Sequence, residues 1–387
     1  MLDAVIVGGG VHGVHLAVVL RSAGVAAADR LMLLDPHDTL LARWRHCTRN
    51  VGMRSLRSPG VHHLDVDPMS LIRFAAARGR SAELFAPYDR PSLALFRDHC
   101  DHVLERFALQ ERHQRCQVTR IDPQQDGVRV HTSGGDLLAK RVILAVGGGD
   151  TLHFPAWARR MMIEDTSAPV HHVYDEGFRL DALQIGQGVA VVGGGIGAVQ
   201  AALHLAARAP GRVYLFMRHE VRAHWFDSDP GWLGPKEMRA YLATSTWSGR
   251  REVIQRARHR GSVPPDLKRA LEREVLSGRI ALRTEAVRAA RSVPDGVLLE
   301  GAHGMWAGSA VVLGTGLSPV VPGGAITQHL IEAHGARTAP CGYPAVGRGL
   351  QWLPGVFVAG GLAELELGPV ARNIAGARRA AERLRAA

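Results

Sequence analysis

The chain has 387 residues, enough for two or three units that each bury a core, and its 44 glycines and 5% aromatic content are ordinary for an α/β protein. The formal charge of +11 is carried by arginine, because only Lys140, Lys236 and Lys268 among the 47 basic residues are lysines. So scattered a skew argues against a nucleic-acid-binding face, and no apolar run reaches the roughly 20 residues that span a bilayer.

In chain order, residues 2–7 read as a strand, running through Val5-Ile6-Val7 into Gly8-Gly9-Gly10-Val11-His12-Gly13 and a helix over 12–23. The entry into the glycine turn is too abrupt, and too poor in basic residues, for a signal peptide. Residues 31–35 read as the second strand, ending in Asp35, 27 positions after Gly8. An acid placed there accepts from ribose hydroxyls in a dinucleotide fold. Residues 40–66, with Trp44 and Met53-Arg54-Ser55-Leu56-Arg57-Ser58-Pro59, read as an irregular, Arg- and His-rich stretch. An amphipathic helix is expected over 92–107 and a hairpin over 128–132 and 137–140. The apolar run 142–147 then ends in glycines at 147–149.

The opening pattern recurs at Val189-Ala190-Val191-Val192-Gly193-Gly194-Gly195-Ile196-Gly197-Ala198, with its second strand over 213–217. A helical insert with Trp and Arg is expected over 225–278, and the dense basic run Arg250-Arg251 through Arg256, Arg258 and Arg260 reads as a solvated helix face. Residues 310–316 mirror the 142–149 turn, and 355–361 form a last strand ending in Gly360-Gly361, before a helix of about 15 residues. The glycines permit a tight turn, a close approach to pyrophosphate and close helix–strand packing, while the helix N-terminus attracts phosphate. Two such units point to two dinucleotides and to electrons passing between them. The order implies a first domain, 1–165 and 306–387, interrupted by a second, 166–305.

This order resembles the two-dinucleotide-binding-domain flavoproteins, and it does so over nearly the whole chain. The resemblance rests on Gly8-x-Gly10-x-x-Gly13, Asp35, 142–147, Gly193-x-Gly195-x-x-Ala198, 311–316 and 355–361. It implies an α/β fold of two Rossmann-like domains, the second inserted into the first. FAD would lie on Gly8, Gly9, Gly10, His12, Gly13 and Asp35, with Trp44, Arg54, Ser55 and Arg57 on the flavin side. Gly147 and Gly316 would join the domains, and Gly360, Gly361 and Leu362 would face the flavin. NAD(P)H would lie on Gly193, Gly195, Ile196, Gly197 and Ala198. The middle strand ends in Met217-Arg218-His219 and lacks an acid, so Arg218, with His219 beside it, would fork onto a 2′-phosphate and favour NADPH.

Within that group the chain resembles the single-component flavin monooxygenases, and loosely their ornithine/lysine N-hydroxylating branch, through Leu56-Arg57-Ser58-Pro59, Arg90-Pro91-Ser92-Leu93 and the 226–267 segment. The implied reaction passes hydride from NADPH to the flavin and then oxygen, by way of a flavin C4a-(hydro)peroxide, to a nucleophilic N or S of a small molecule. No protein acid–base pair is expected, since the cofactor carries the chemistry. The fingerprint between the glycine motifs is only sketched by Phe154-Pro155 and His171-His172-Val173-Tyr174, and Leu362 follows Gly361 where many relatives have a Gly-Asp acid. An oxidase or reductase delivering electrons to O2, a quinone or a protein partner stays open, as does a flavin redox sensor. Cys47, Cys100, Cys116 and Cys341 form no C-x-x-C pair, which argues against an adjacent dithiol and for a reduced, cytoplasmic chain. His62-His63-x-Asp65 and His171-His172 suggest no metal, since neighbours on a strand point to opposite faces.

Overall fold

In the computed structural model, which describes residues 1–148 and 151–386, a mixed sheet with a parallel centre and a second, wholly parallel sheet each carry one glycine loop. The outer end of the 142–149 turn, Gly149, lies outside the described residues. The first sheet runs Gln351–Leu353, Val356–Val358, Gly135–Leu144, Leu2–Val7, Leu31–Asp35, His113–Arg115. Leu2–Val7 is parallel to both Leu31–Asp35 and Gly135–Leu144. Val118–Gln124 and Gly127–Thr132 add an antiparallel meander to the long Gly135–Leu144 strand, which includes the expected hairpin.

The second sheet runs Ile280–Arg283, Val213–Phe216, Val189–Val192, Ala310–Leu313, Val170–His172, all parallel. Its central strands are apolar at every position and wholly buried, as a sheet covered on both faces requires. A three-stranded antiparallel sheet, 289–293, 296–301 and 304–308, lies beside it.

Strand pairing moves three of the expected boundaries. Ala310–Leu313 pairs with Val189–Val192, and helix Ala156–Glu164 buries Ala158 and Met161 in the second unit's core. The second unit therefore begins near 154 and ends near 314, because its core needs both segments. Helix Pro265–Leu276 packs on helix Ile196–Arg208 and on Ile280–Arg283, so it is the crossover between two parallel strands and not part of the insert. Finally, the 40–66 stretch is not irregular throughout: Ala42–Asn50 is a helix.

That helix is polar because it lies between the units. His46 Nε2 is 2.8 Å from the Asp175 carbonyl, Asn50 donates to the Val173 carbonyl at 2.8 Å, and the Asn50 Oδ1 accepts from Leu180 N–H at 2.7 Å. Ser92 caps helix Leu93–Arg106 by accepting from Leu95 N–H at 3.0 Å, which is why the amphipathic segment begins there.

Candidate functional site

Strand Leu2–Val7 delivers the chain into Gly8, whose φ of +112° suits glycine alone. A Cβ on Gly8 would stand 2.7 Å from the Ala145 carbonyl oxygen, and one on Gly13 would stand 1.8 Å from that of Gly8. Both glycines thus serve close packing. Gly10 differs: no atom lies within 4 Å of where its Cβ would be. Gly10 is also the N-cap of helix Val11–Ser22 and supplies no side-chain cap, so first-turn N–H groups beside open space remain for an anion. A pyrophosphate fits that opening by size and charge.

Asp35 stands at the expected strand end, but its carboxylate is already engaged. Oδ2 accepts from Gly9 N–H at 2.6 Å, while Oδ1 accepts from His37 N–H at 3.0 Å and lies 2.6 Å from His37 Nδ1. The other ring nitrogen of His37 is 2.9 Å from Glu176, which also pairs with Arg43. Burial opposes protonation of His37, but the hydrogen bonds to Glu176 and Asp35 prevail and raise its pKa. This chain of groups bridges the two units, and no local sequence rule pairs His37, Glu176 and Arg43.

His12 does not cap its helix. Its two ring nitrogens are buried without a partner at hydrogen-bond geometry, and the ring packs against Gly360. Desolvation pushes its pKa down to about 4, offset in part by the backbone of Arg372 and Asn373. The Gly360–Gly361 turn, with Gly360 at φ +59°, therefore lies against the opening helix. Leu362 is fully buried in the first core, which leaves at most its backbone for a ligand. Arg372 lines the turn instead: its guanidinium carbon is 3.5 Å from the Cβ position of Gly361, and one of its nitrogens is 4.0 Å from that of Gly148. It donates to Glu364 at 2.6 Å and to the Tyr343 hydroxyl at 2.6 Å. Gly147 and Arg54 are exposed, whereas Ser55 bridges to Ser92 and Trp44 leans on Phe96 at 5.4 Å between centroids.

The second loop repeats the packing logic. A Cβ on Gly193 would stand 2.4 Å from the Gly314 carbonyl oxygen, one on Gly197 would stand 2.4 Å from the Tyr174 hydroxyl, and one on Gly314 would stand 2.6 Å from the Ala198 Cα. Gly195 caps helix Ile196–Arg208 without a side-chain bond, and the first atom near its Cβ position is Gly261 Cα at 3.8 Å. His219 lies within 2.9 Å of the Cβ positions of both Gly194 and Gly261, so its ring is wedged between them. Arg218 is exposed, and its guanidinium has no partner among the described residues. Gly316, at φ +80°, opens onto free space.

Arg57, expected on the flavin side, is already engaged: its guanidinium donates to the carbonyls of Trp225, His224 and Phe226 at 2.9, 2.7 and 2.6 Å and to Ser262 Oγ at 2.9 Å. Desolvation lowers its pKa to about 10. Arg90, with its side chain 3% exposed, pairs with Asp266 at 2.7 Å beneath Trp225. The dense arginine run is a solvated face only in part, with Arg256 and Arg260 exposed and Arg250, Arg251 and Arg258 engaged in ion pairs. Arg250 bonds Glu366 at 3.0 Å and the Leu365 carbonyl at 3.1 Å, and Arg251 pairs with the buried Glu364. These contacts seat the insert on the first unit from two sides.

A model of the pyridine nucleotide-disulphide oxidoreductase family matches residues 5–246, which include both glycine loops. The chain belongs to that family. No curated protein sequence matches it. Among solved structures it is similar to L-lysine 6-monooxygenase from Pseudomonas syringae, with 18% identity and a TM-score of 0.75 over 100% of this chain and 98% of that one. It is equally similar to an ornithine N-hydroxylase from Kutzneria sp. 744 with reduced FAD, NADP+ and L-ornithine, at 18% identity and a TM-score of 0.75 over 98% and 97%. A flavin-containing monooxygenase from Stenotrophomonas maltophilia matches at 21% identity and a TM-score of 0.60 over 98% of each chain. The fold is that of the two-dinucleotide-binding-domain flavoproteins, as expected, and the protein is an oxidoreductase of that class. No helix among the described residues is long and apolar enough to cross a membrane.

Proposed function

We propose that this protein is an FAD-dependent, NADPH-using monooxygenase that oxygenates the nucleophilic nitrogen of a small amine. The observation that carries the reading is a pair of uncapped helix N-termini, at Gly10 and Gly195, in a chain matched end to end by lysine and ornithine N-hydroxylating enzymes. FAD belongs at Gly8–Gly13, Asp35 and Gly360–Gly361, and NADPH at Gly193–Ala198 with Arg218 on the 2′-phosphate. When bound, the flavin accepts hydride and supplies reduced flavin for oxygen activation.

The chain's own work is positional. Helix N-termini neutralise the pyrophosphates, Arg57, Arg90 and Arg251 hold the insert over the units, and the buried His12 stays neutral against the last glycine turn. The four cysteines are free, and burial holds the Cys100 thiol well above its ordinary range, which disfavours dithiol chemistry. The test is NADPH oxidation by FAD-loaded protein in air with ornithine, lysine and cadaverine. Amine-stimulated turnover with a stoichiometric hydroxylamine supports the reading. Hydrogen peroxide as the sole product with every amine replaces it with an oxidase.

A further inference from the structure

The segment Gly324–His334 is a helix that lies on the antiparallel meander of the first unit. His329 and His334 both turn their Nε2 atoms onto one oxygen, Asp122 Oδ1, at 2.7 and 2.9 Å. The two imidazoles stand edge to face with centroids 5.2 Å apart, and the three ligand-capable atoms lie within 4.8 Å of one another. Each side chain is only 20–27% exposed, so the cluster is a recess and not a loose surface group.

The other carboxylate oxygen is independently fixed. Oδ2 is 2.9 Å from Arg120 Nε and 2.8 Å from His131 Nε2, and His131 Nδ1 is 2.9 Å from Asp136. Oδ1 is thereby aimed at the two histidines before anything binds. A hydrogen-bonded outer ring of this kind is what orients metal ligands.

We infer that Asp122, His329 and His334 form a binding site for a divalent transition metal of the zinc class, tying this helix to the meander. Two imidazole nitrogens and one carboxylate oxygen suit Zn2+, Co2+ or Ni2+ far better than Mg2+ or Ca2+, which prefer all-oxygen shells. With bonds of about 2.0–2.1 Å, the edge between two tetrahedral zinc ligands is roughly 3.3 Å. The two histidine–carboxylate contacts need open by only a few tenths of an ångström, the two imidazole nitrogens already lie within 4.8 Å of each other, and the partial exposure leaves room for water in the remaining position. The metal would replace two N–H···O bonds and hold three groups from two elements.

Tag-free protein, stripped with a chelator and reloaded with FAD, is titrated with Co2+ and then Zn2+. One equivalent of Co2+ is expected to give visible d–d absorption that Zn2+ abolishes, and Zn2+ is expected to raise Tm by several degrees. The His329→Gln, His334→Gln double variant loses both responses. His131→Ala, which removes a hydrogen-bond partner of Asp122 Oδ2 from outside the ligand set, weakens metal binding roughly 10- to 100-fold. Absence of d–d bands and of any Tm shift in the wild-type protein overturns the inference, as does an undiminished response in the double variant.

Discussion

Glycines in one motif have different duties, and substitution separates them. Gly13→Ala puts a methyl 1.8 Å from a carbonyl oxygen and forces the opening helix off its strand, so little folded protein is expected. Gly10→Ala meets nothing within 4 Å and keeps an extended backbone, at φ −76° and ψ −171°. It should fold with an unchanged Tm yet bind FAD at least tenfold more weakly, as read by flavin fluorescence; unaltered affinity removes Gly10 from the pyrophosphate site. Arg218→Ala should raise the NADPH Michaelis constant roughly ten- to a hundredfold and leave that for NADH alone, since a charge-assisted bond contributes about 1.5–3 kcal/mol. Equal effects on both nucleotides dismiss the phosphate role. These positions are legible in sequence because a tight turn, a close approach or a strand-end charge each demands one residue type at one spacing. His37, Glu176 and Arg372 are not, because their partners lie far along the chain and no local rule names them.

Among whole elements, legibility follows periodicity. The parallel strands and the helices after them were readable as apolar runs with the right spacing. Helix Ala42–Asn50 was not, since its contacts with the second unit are polar and leave no apolar stripe. In the arginine run 250–260, Arg256 and Arg260 are solvated but Arg250 and Arg251 are not, because charge in sequence says nothing about whether a buried glutamate waits opposite. The insert's attachment is open to test at Arg57, where one planar fork serves three carbonyls and a hydroxyl. Lysine cannot reproduce that fork. Arg57→Lys should therefore behave much like Arg57→Ala, lowering stability by about 1–3 kcal/mol and exposing residues near 224–262 to limited proteolysis. A lysine variant with wild-type Tm and protease resistance would refute the clamp.

For the molecule as a whole, buried imidazoles dominate the response to acid. His12, His15, His62, His63 and His172 are held near pKa 4 and His99 near 3, in each case chiefly by desolvation. Between those values and 6.5 the unfolded chain binds protons that the native one refuses, so stability must fall as pH drops through that window. His37, raised by Glu176 and Asp35, acts in the opposite sense but is one group against six. Depressed carboxylates such as Glu83, held near 2 by Arg80 and Ser92, add to the loss only at lower pH. Tm should drop by roughly 5–10 °C from pH 7 to 5.5. A flat profile over that range contradicts neutral burial of these rings.

The seam held by Asn50, Arg57 and the His37–Glu176 link has a mechanical corollary. With polar contacts among the described residues on several sides of the seam, we expect the angle between the halves to be set before any nucleotide arrives. Ring-to-ring alignment must then come from how the dinucleotides themselves bend, and small-angle scattering curves with and without NADP+ should superimpose.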